Sequence, residues 1–249
     1  MSQGPMKIVA IVEVRMTSRR LPGKHLLPAS GMPMIGHLIR RLKKTPSLQD
    51  IVLATTVNGT DEPLVEIARD FGISHFRGSE QDVMARVLGA AEFSKADVIV
   101  GITGDCPLID PMLVEQTIQM FLKNKCAYVN NAEIPTYPDG MNTQVYGIET
   151  LRKSFSLTQD PLVHEHVTLH IRRSPDLFPP IYLVAPPNLS WPDLALTLDE
   201  RGDYELLKRI IEHFGEANPY FSCEEIIRLL RAHPDWLDLN KSVVRKGDE

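Results

Sequence analysis

The densest concentration of chemically useful side chains lies in Arg15-Met-Thr-Ser18-Arg19-Arg20-Leu21-Pro22-Gly23-Lys24, four cations in ten residues interrupted by Pro-Gly. Such a stretch can be neither a core strand nor a well-formed helix. Placed after an apolar run, it is a cationic loop with free backbone N–H groups. A triphosphate asks for that combination of point charges, a guanidinium fork and amide donors. The loop is neither a G-x-x-x-x-G-K-[ST] phosphate loop nor a G-x-G-x-x-G dinucleotide turn, and a solvated basic loop is the bland reading of the same residues.

Two acidic sites complement it. In Thr103-Gly104-Asp105-Cys106-Pro107-Leu108-Ile109-Asp110-Pro111, a carboxylate follows a glycine at the end of an apolar run, where little obstructs its approach to a metal or a ribose hydroxyl. Asp110 reads as a helix N-cap with Pro111 at the first helical position, which leaves Asp105 as the functional residue. Cys106, before a proline and without a paired histidine, reads as a small packing residue. In Leu196-Thr197-Leu198-Asp199-Glu200 an acidic pair ends another apolar run. Asp203 suits a helix cap, whereas Asp199 with Asp105 suits Mg2+, which takes one or two carboxylates plus phosphate oxygens and water. His164, His166 and His170 do not share one helix face and lack a zinc-binding spacing. His164-Glu165-His166 reads as a pocket wall or a half-exposed helix.

Elements must position these groups. Residues 8–12, 51–55 and 98–102 are uninterrupted β-rich runs, suited to strands covered on both faces. Helical patterns lie between and after them, at residues 34–43, 61–71 and 82–93 and after Asp110. In residues 61–71, Leu64, Ile67, Ala68 and Phe71 share one face and Gly72 supplies the stop. The alternation predicts an α/β fold, an open and mostly parallel sheet flanked by helices, with ligands bound beyond the carboxyl ends of the strands. Beyond residue 128 the expected elements are a helix at 162–171, strands at 181–185 and 195–198, a helix from about 203 to 214, and a last helix opened by the Ser222-Cys-Glu-Glu225 capping box. Residues 1–249 are expected to form one domain, with loose tails at 1–5 and 241–249.

Composition narrows the class. With 27 basic against 32 acidic residues and a net charge of −5, a polyanion-coating role is disfavoured, so no nucleic-acid partner is expected. Three widely spaced cysteines suit a reducing, cytoplasmic setting rather than a disulfide framework. No apolar run reaches a membrane span, and no secretory signal pattern is present.

Taken in order, Arg15-x-x-Ser18-x-Arg20-Leu-Pro-Gly-Lys24, Phe76-Arg-Gly-Ser-Glu-Gln-Asp82-Val-x-x-Arg86, Thr103-Gly-Asp105-Cys-Pro, Tyr137-Pro-Asp-Gly140, Glu165-His-Val-Thr168 and Leu198-Asp199-Glu-x-x-Asp203 resemble the cytidylyltransferase family of spore-coat polysaccharide synthesis protein F. That family is similar to the CMP-Kdo and CMP-acylneuraminate synthetases. The resemblance implies a glycosyltransferase-A-like nucleotidyltransferase fold. It also implies Mg2+-dependent transfer of CMP from CTP to a sugar or sugar-like acid in polysaccharide or glycoconjugate precursor synthesis. Arg15, Ser18, Arg20 and Lys24 would hold the phosphates, with Arg15, Lys24 and Asp105 nearest the chemistry. Asp82, Arg86 and Thr103 would border the nucleotide, and Asp105 and Asp199 would ligate the metal. Asn142, Gln144, His164, Glu165 and His166 would face the acceptor. The chain departs from its relatives at Glu13, commonly Gln, and at Gly101, His164 and Ala195, commonly Arg. It also has Asn142 and Gln144 in place of an acidic pair. Retained CTP use with a changed acceptor follows as the expectation. Another nucleotidyl- or glycosyltransferase on the same fold, and a catalytically impaired nucleotide-binding homologue, stand as the other readings. A homodimer is compatible with the resemblance, although no feature of the sequence fixes an interface.

Overall fold

The computed structural model describes residues 6–244. Its centre is strand β1 (Ile8–Glu13), in which side chains alternate between two cores. Ile8, Ala10 and Val12 enter one cluster, while Val9 and Ile11 enter the other. Burial on both faces is why the run carries no polar interruption.

After β1 the chain forms a short hairpin, β2 (Pro28–Ala29) with β3 (Met32–Pro33), and then helix α1 (Met34–Leu42). Strand β4 (Asp50–Thr56), helix α2 (Glu62–Asp70), strand β5 (Ser74–Gly78), helix α3 (Val83–Phe93), strand β6 (Val98–Thr103) and helix α4 (Pro111–Lys123) follow. Beyond them lie β7 (Tyr128–Asn130), β8 (Gln144–Gly147), α5 (Ile148–Leu157), α6 (Pro161–Glu165), α7 (Leu169–Arg173), β9 (Pro180–Tyr182), α8 (Arg201–Phe214) and α9 (Cys223–Ala232).

The seven strands order as β5-β4-β1-β6-β8-β7-β9. Pairing is parallel from β5 through β6 and between β7 and β9, while β8 runs antiparallel to both neighbours. The sheet is therefore open and mostly parallel, with helices on both faces. Residues of α1, α2 and α4 pack on one face, and those of α3, α5 and α7 on the other. A third cluster joins α8 and α9 to Leu194, Leu196 and Leu198. Because the chain leaves β1 for β4 on one side and returns to β6 on the other, the loops after β1 and β6 diverge from adjacent strands. A crevice opens at that switch point.

Several expected elements differ. The single helix at 162–171 is two short helices, because Val167 turns with φ 36° between them. Residues 195–198 form no strand, and only Ala195 makes an isolated parallel bridge, to Asp139. The strand at 181–185 shortens to Pro180–Tyr182, and the antiparallel β8 was not anticipated. The expected capping box of Ser222 with Glu225 opens α9, and Asp203, expected as a cap, forms a second box with Glu200 on α8. Of the expected loose tails, residues 1–5 and 245–249 lie outside the described residues, while Val243 N–H donates to the Asn240 carbonyl at 3.1 Å. Among the described residues, no helix is long and apolar enough to cross a membrane.

Candidate active site

Three chain segments meet at the crevice. The first is the loop after β1, which ends in a 3-10 turn, Lys24–Leu26. The second is the loop after β6, brought close because Gly104 N–H donates to the Glu13 carbonyl at 2.9 Å. A Cβ on Gly104 would stand 3.0 Å from that same carbonyl oxygen, so the approach requires glycine. The third is the extended segment 194–199, laced to its neighbours by backbone bonds. Leu196 N–H donates to Asp139 and Leu198 N–H to Asp105, each at 2.8 Å. Gly140, with φ 98°, permits this lacing, since a Cβ there would come within 2.7 Å of the Leu196 carbonyl oxygen. Asp203, buried at the start of α8, accepts from the backbone of Asp199 and Glu200 and so fixes the acidic turn.

Lys24, Asp105 and Asp199 converge. The largely buried Lys24 ammonium lies 3.0 Å from Asp199 Oδ1 and 3.7 Å from Asp105 Oδ2. Arg20 reaches Asp199 Oδ1 at 2.8 Å. Burial alone would raise the Asp105 carboxyl. The Lys24 ammonium, the Thr103 hydroxyl bonded at 2.5 Å and the His25 ring together hold it below the ordinary carboxylate range. Asp105 is thus ionised at neutral pH. Two hard carboxylates and a neighbouring hydroxyl fit a magnesium ion that completes its shell with phosphate oxygens and water. Among the described residues, no group of three or more His, Cys, Asp or Glu side chains is arranged to cage a metal.

The other phosphate-loop residues are held differently. Arg15, half exposed, sits 3.7 Å from Glu80, and Ser18 Oγ accepts from Leu21 N–H at 3.4 Å. Glu80 also accepts from Thr17 Oγ1 at 2.8 Å and Asn58 Nδ2 at 2.6 Å, so it pins the outer part of the loop. Asp61 pins the inner part. Rather than capping α2, it is fully buried and accepts from Met16 N–H at 2.9 Å and from both hydroxyls of Thr55 and Thr56. Neither anchor was identified from sequence. Asp61 fell at the start of a helical pattern, where a cap is the ordinary reading, and Glu80 lay inside a matched motif without a role.

Asp82 and Arg86 do not join the Lys24 group. Asp82 caps α3 through Ala85 N–H and pairs with His164 Nδ1 at 2.9 Å. Arg86 is buried and donates to the carbonyls of Ala54, at 3.2 Å, and Ser79. Burial alone would lower the His164 pKa, but the Asp82 carboxylate and the Thr158 carbonyl more than offset it, and the net shift is upward. His164 is thus engaged by Asp82 and is not among the residues that line the cavity described next. Cys106 is buried, its thiol pushed far up by desolvation, and it touches the Thr103 hydroxyl at 3.3 Å.

That cavity, about 520 Å³, adjoins the group, and Thr103, Asn142, Gln144, Glu165 and His166 line it. Glu13, Asn130, Glu133, Thr168 and Arg172 add to its polar wall. Glu13 is the unusual member: burial pushes its carboxyl up to about 7, with Arg86 opposing and Asp105 adding to the shift.

His25 buttresses the floor of the site. It is buried, and its Nδ1–H donates to the Gly104 carbonyl at 3.1 Å. Desolvation and the adjacent Lys24 lower its pKa from 6.5 to about 4. As pH falls, the unfolded chain therefore takes up this proton before the folded one does. The His25 contribution to stability is complete above about 6.5 and is lost toward 4. Thermal midpoints measured across that window are expected to fall with pH in the parent protein and to fall less steeply in His25→Gln.

The sheet order and switch-point crevice define a nucleotidyltransferase-type α/β fold. Residues 9–228 match the Cytidylyltransferase family, and the chain belongs to it. It is 33% identical over 238 residues to the spore coat polysaccharide biosynthesis protein SpsF of Bacillus subtilis (strain 168), covering 92% of this chain and 95% of that protein. A cytidylyltransferase structure from Leptospira borgpetersenii superposes with a TM-score of 0.90 at 30% identity, covering 97% of this chain and 100% of that one. The CTP complex of CMP:2-keto-3-deoxy-manno-octonic acid synthetase shares the fold at a TM-score of 0.63 and 18% identity, covering 83% and 99%.

Proposed function

We propose that this chain transfers CMP from CTP to a sugar or sugar-like acceptor, releasing pyrophosphate, in the making of a polysaccharide or glycoconjugate precursor. The observation that carries this reading is the Lys24 ammonium lodged between Asp105 and Asp199, at 3.7 and 3.0 Å, in a member of the cytidylyltransferase family. An acceptor oxygen attacks the α-phosphorus in line. One phosphorus–oxygen bond forms as the bond to pyrophosphate breaks, and negative charge grows on the departing bridging oxygen. Positioning and charge neutralisation then supply most of the catalysis. Lys24 and Arg20 bring cations to the triphosphate from one side, and Arg15 with the amides around Ser18 closes the other. Asp105 and Asp199 would hold Mg2+, which when bound neutralises phosphate charge as a Lewis acid. The 520 Å³ cavity, bordered by Thr103, Asn142 and Gln144, has room for a monosaccharide acceptor beside the α-phosphate.

Isothermal titration with CTP and Mg2+ tests the nucleotide half of the reading. Saturable CTP binding, stronger than that of UTP, GTP or ATP, is expected; absence of CTP binding overturns it. Lys24→Ala is expected to weaken CTP binding by about tenfold or more and CMP binding far less, because the lost charge serves the distal phosphates. Equal losses for the two nucleotides would move Lys24 away from them.

A further inference from the structure

We propose that Asp61 is a positioning residue for the triphosphate: through Met16 its carboxylate holds the loop after β1 in the shape that receives the phosphates. The inference rests on the cytidylyl-transfer reading above and gives Asp61 a part in substrate affinity, beyond its part in the fold.

The first ground is how this buried charge is satisfied. Asp61 closes the short 3-10 turn Gly59–Asp61 and is fully buried. A carboxylate without exposed surface is costly unless its lone pairs are met. Four hydrogen-bond donors meet them here, in place of a cation. Three come from the end of β4 and converge on Oδ2: the Thr55 hydroxyl at 2.8 Å, the Thr56 hydroxyl at 2.6 Å and the Thr56 N–H at 3.1 Å. The fourth, Met16 N–H, reaches Oδ1 at 2.9 Å and comes from the loop. Burial alone would raise the carboxyl, but these donors hold it below the ordinary carboxylate range, so Asp61 is ionised at neutral pH. One oxygen thus faces the sheet and the other faces the phosphate loop.

The second ground is what that single loop contact controls. Sheet bonding gives out where the loop begins: Glu13 is the last β1 residue in register with β4, and Val14 N–H reaches the Ala54 carbonyl at 3.3 Å. Met16 is then held by both of its backbone polar groups, its N–H by Asp61 and its carbonyl by Gly23 N–H at 3.3 Å. The second bond closes residues 16–23 into a ring, with Gly23 at φ 69° and Lys24 directly after it. Among the described residues, the N–H groups of Thr17, Ser18, Arg19 and Arg20 donate to no protein acceptor. The ring therefore presents free amides, and Asp61 is its tether to the body of the protein on the β4 side. Without that tether the ring fluctuates, and the cost of ordering it falls on the ligand. The penalty is larger for a triphosphate, which engages the whole ring, than for a monophosphate.

The test uses the full chain, with CTP and CMP titrated calorimetrically in the presence of Mg2+ below each variant's thermal midpoint, where stoichiometry reports the folded fraction. Asp61→Ala is expected to weaken CTP binding about tenfold and CMP binding less than twofold, and to raise the KM for CTP with little change in kcat. Thr55→Val removes one donor from Oδ2 and leaves the Met16 bond in place. It should lower the thermal midpoint while both nucleotides bind as in the parent. Should Asp61→Ala fail to fold, Asp61→Asn carries the test. Its carboxamide has one oxygen for the two backbone N–H groups of Met16 and Thr56, so CTP binding should weaken about fivefold and Met16 N–H should exchange faster with solvent. CTP affinity within twofold of the parent in the folded Asp61 variant, or equal losses for CTP and CMP, or a matching CTP loss in Thr55→Val, reduces Asp61 to a structural residue and overturns the proposal while leaving the nucleotide reading intact. Absence of CTP binding by the parent itself overturns the nucleotide reading, and this inference with it.

Discussion

Asp105→Asn is expected to lower cytidylyl transfer by about 10²–10³-fold while leaving the folded chain intact, a loss of the size seen when one charge-stabilising group is removed from a preorganised site. The substitution is nearly isosteric. An amide oxygen still accepts from Thr103 Oγ1, and the backbone carbonyl of residue 105 still receives Leu198 N–H. What disappears is one of the two negative charges flanking Lys24 and one of the two hard oxygen donors suited to magnesium. Asp199→Asn should cost as much, since Asp199 carries both the 3.0 Å contact to Lys24 and the 2.8 Å contact to Arg20. The double variant should be little worse than either single one, because the two carboxylates act on one charge centre. Pyrophosphate release at saturating CTP and Mg2+ measures the loss, and circular dichroism checks the fold. Rates within threefold of the parent for both single variants would remove the carboxylate pair from the mechanism.

Arg41→Ala is expected to destabilise the fold by about 3–5 kcal/mol, read as a shift in the urea midpoint. This side chain, 1% exposed, issues from α1 into the interior. It donates Nε–H to the Ile109 carbonyl at 2.7 Å, and its terminal nitrogens donate to the carbonyls of Pro219, at 3.2 Å, and Phe221, at 2.5 Å. The guanidinium also lies 4.5 Å over the Phe221 ring. Burial lowers its pKa to about 10, so it remains charged at neutral pH. Truncation strands the buried carbonyls of Ile109 and Phe221 and the part-buried one of Pro219, and empties the space under Phe221, the two kinds of damage that produce large losses. Arg41→Met keeps most of the volume and should recover part of the packing loss but none of the hydrogen bonds. A midpoint unchanged by Arg41→Ala would mean that α9 is held by its apolar face alone.

Legibility in the sequence followed burial. β1, β4 and β6 are covered on both faces and so announce themselves as apolar runs, and α1, α2 and α4 show the matching stripe. β8, four residues long, has no room to display a period, and its antiparallel direction depends on partners far away in the chain. Residues 195–198 carry the apolar character of a strand, yet their hydrogen bonds go to the loops at Asp105 and Asp139, which local pattern does not reveal. The same holds at the site. Strand-end position singled out Lys24, Asp105 and Asp199, which the fold brings together, but the lock of Asp61 on Met16 N–H spans 45 residues and is visible only in three dimensions. Arg41 read as an ordinary helix residue because nothing local marks a buried guanidinium.

The reversal of strand order at β1, between β4 and β6, has an evolutionary corollary. On the proposed reading, the residues that would hold the triphosphate and its metal sit on the loops after β1 and β6 and on the segment ending at Asp199, whereas most of the adjoining cavity wall comes from residues 130–144 and 165–172. Replacing the latter walls leaves the former undisturbed, so a lineage built on this plan can trade one sugar for another without rebuilding its machinery for cleaving a nucleotide.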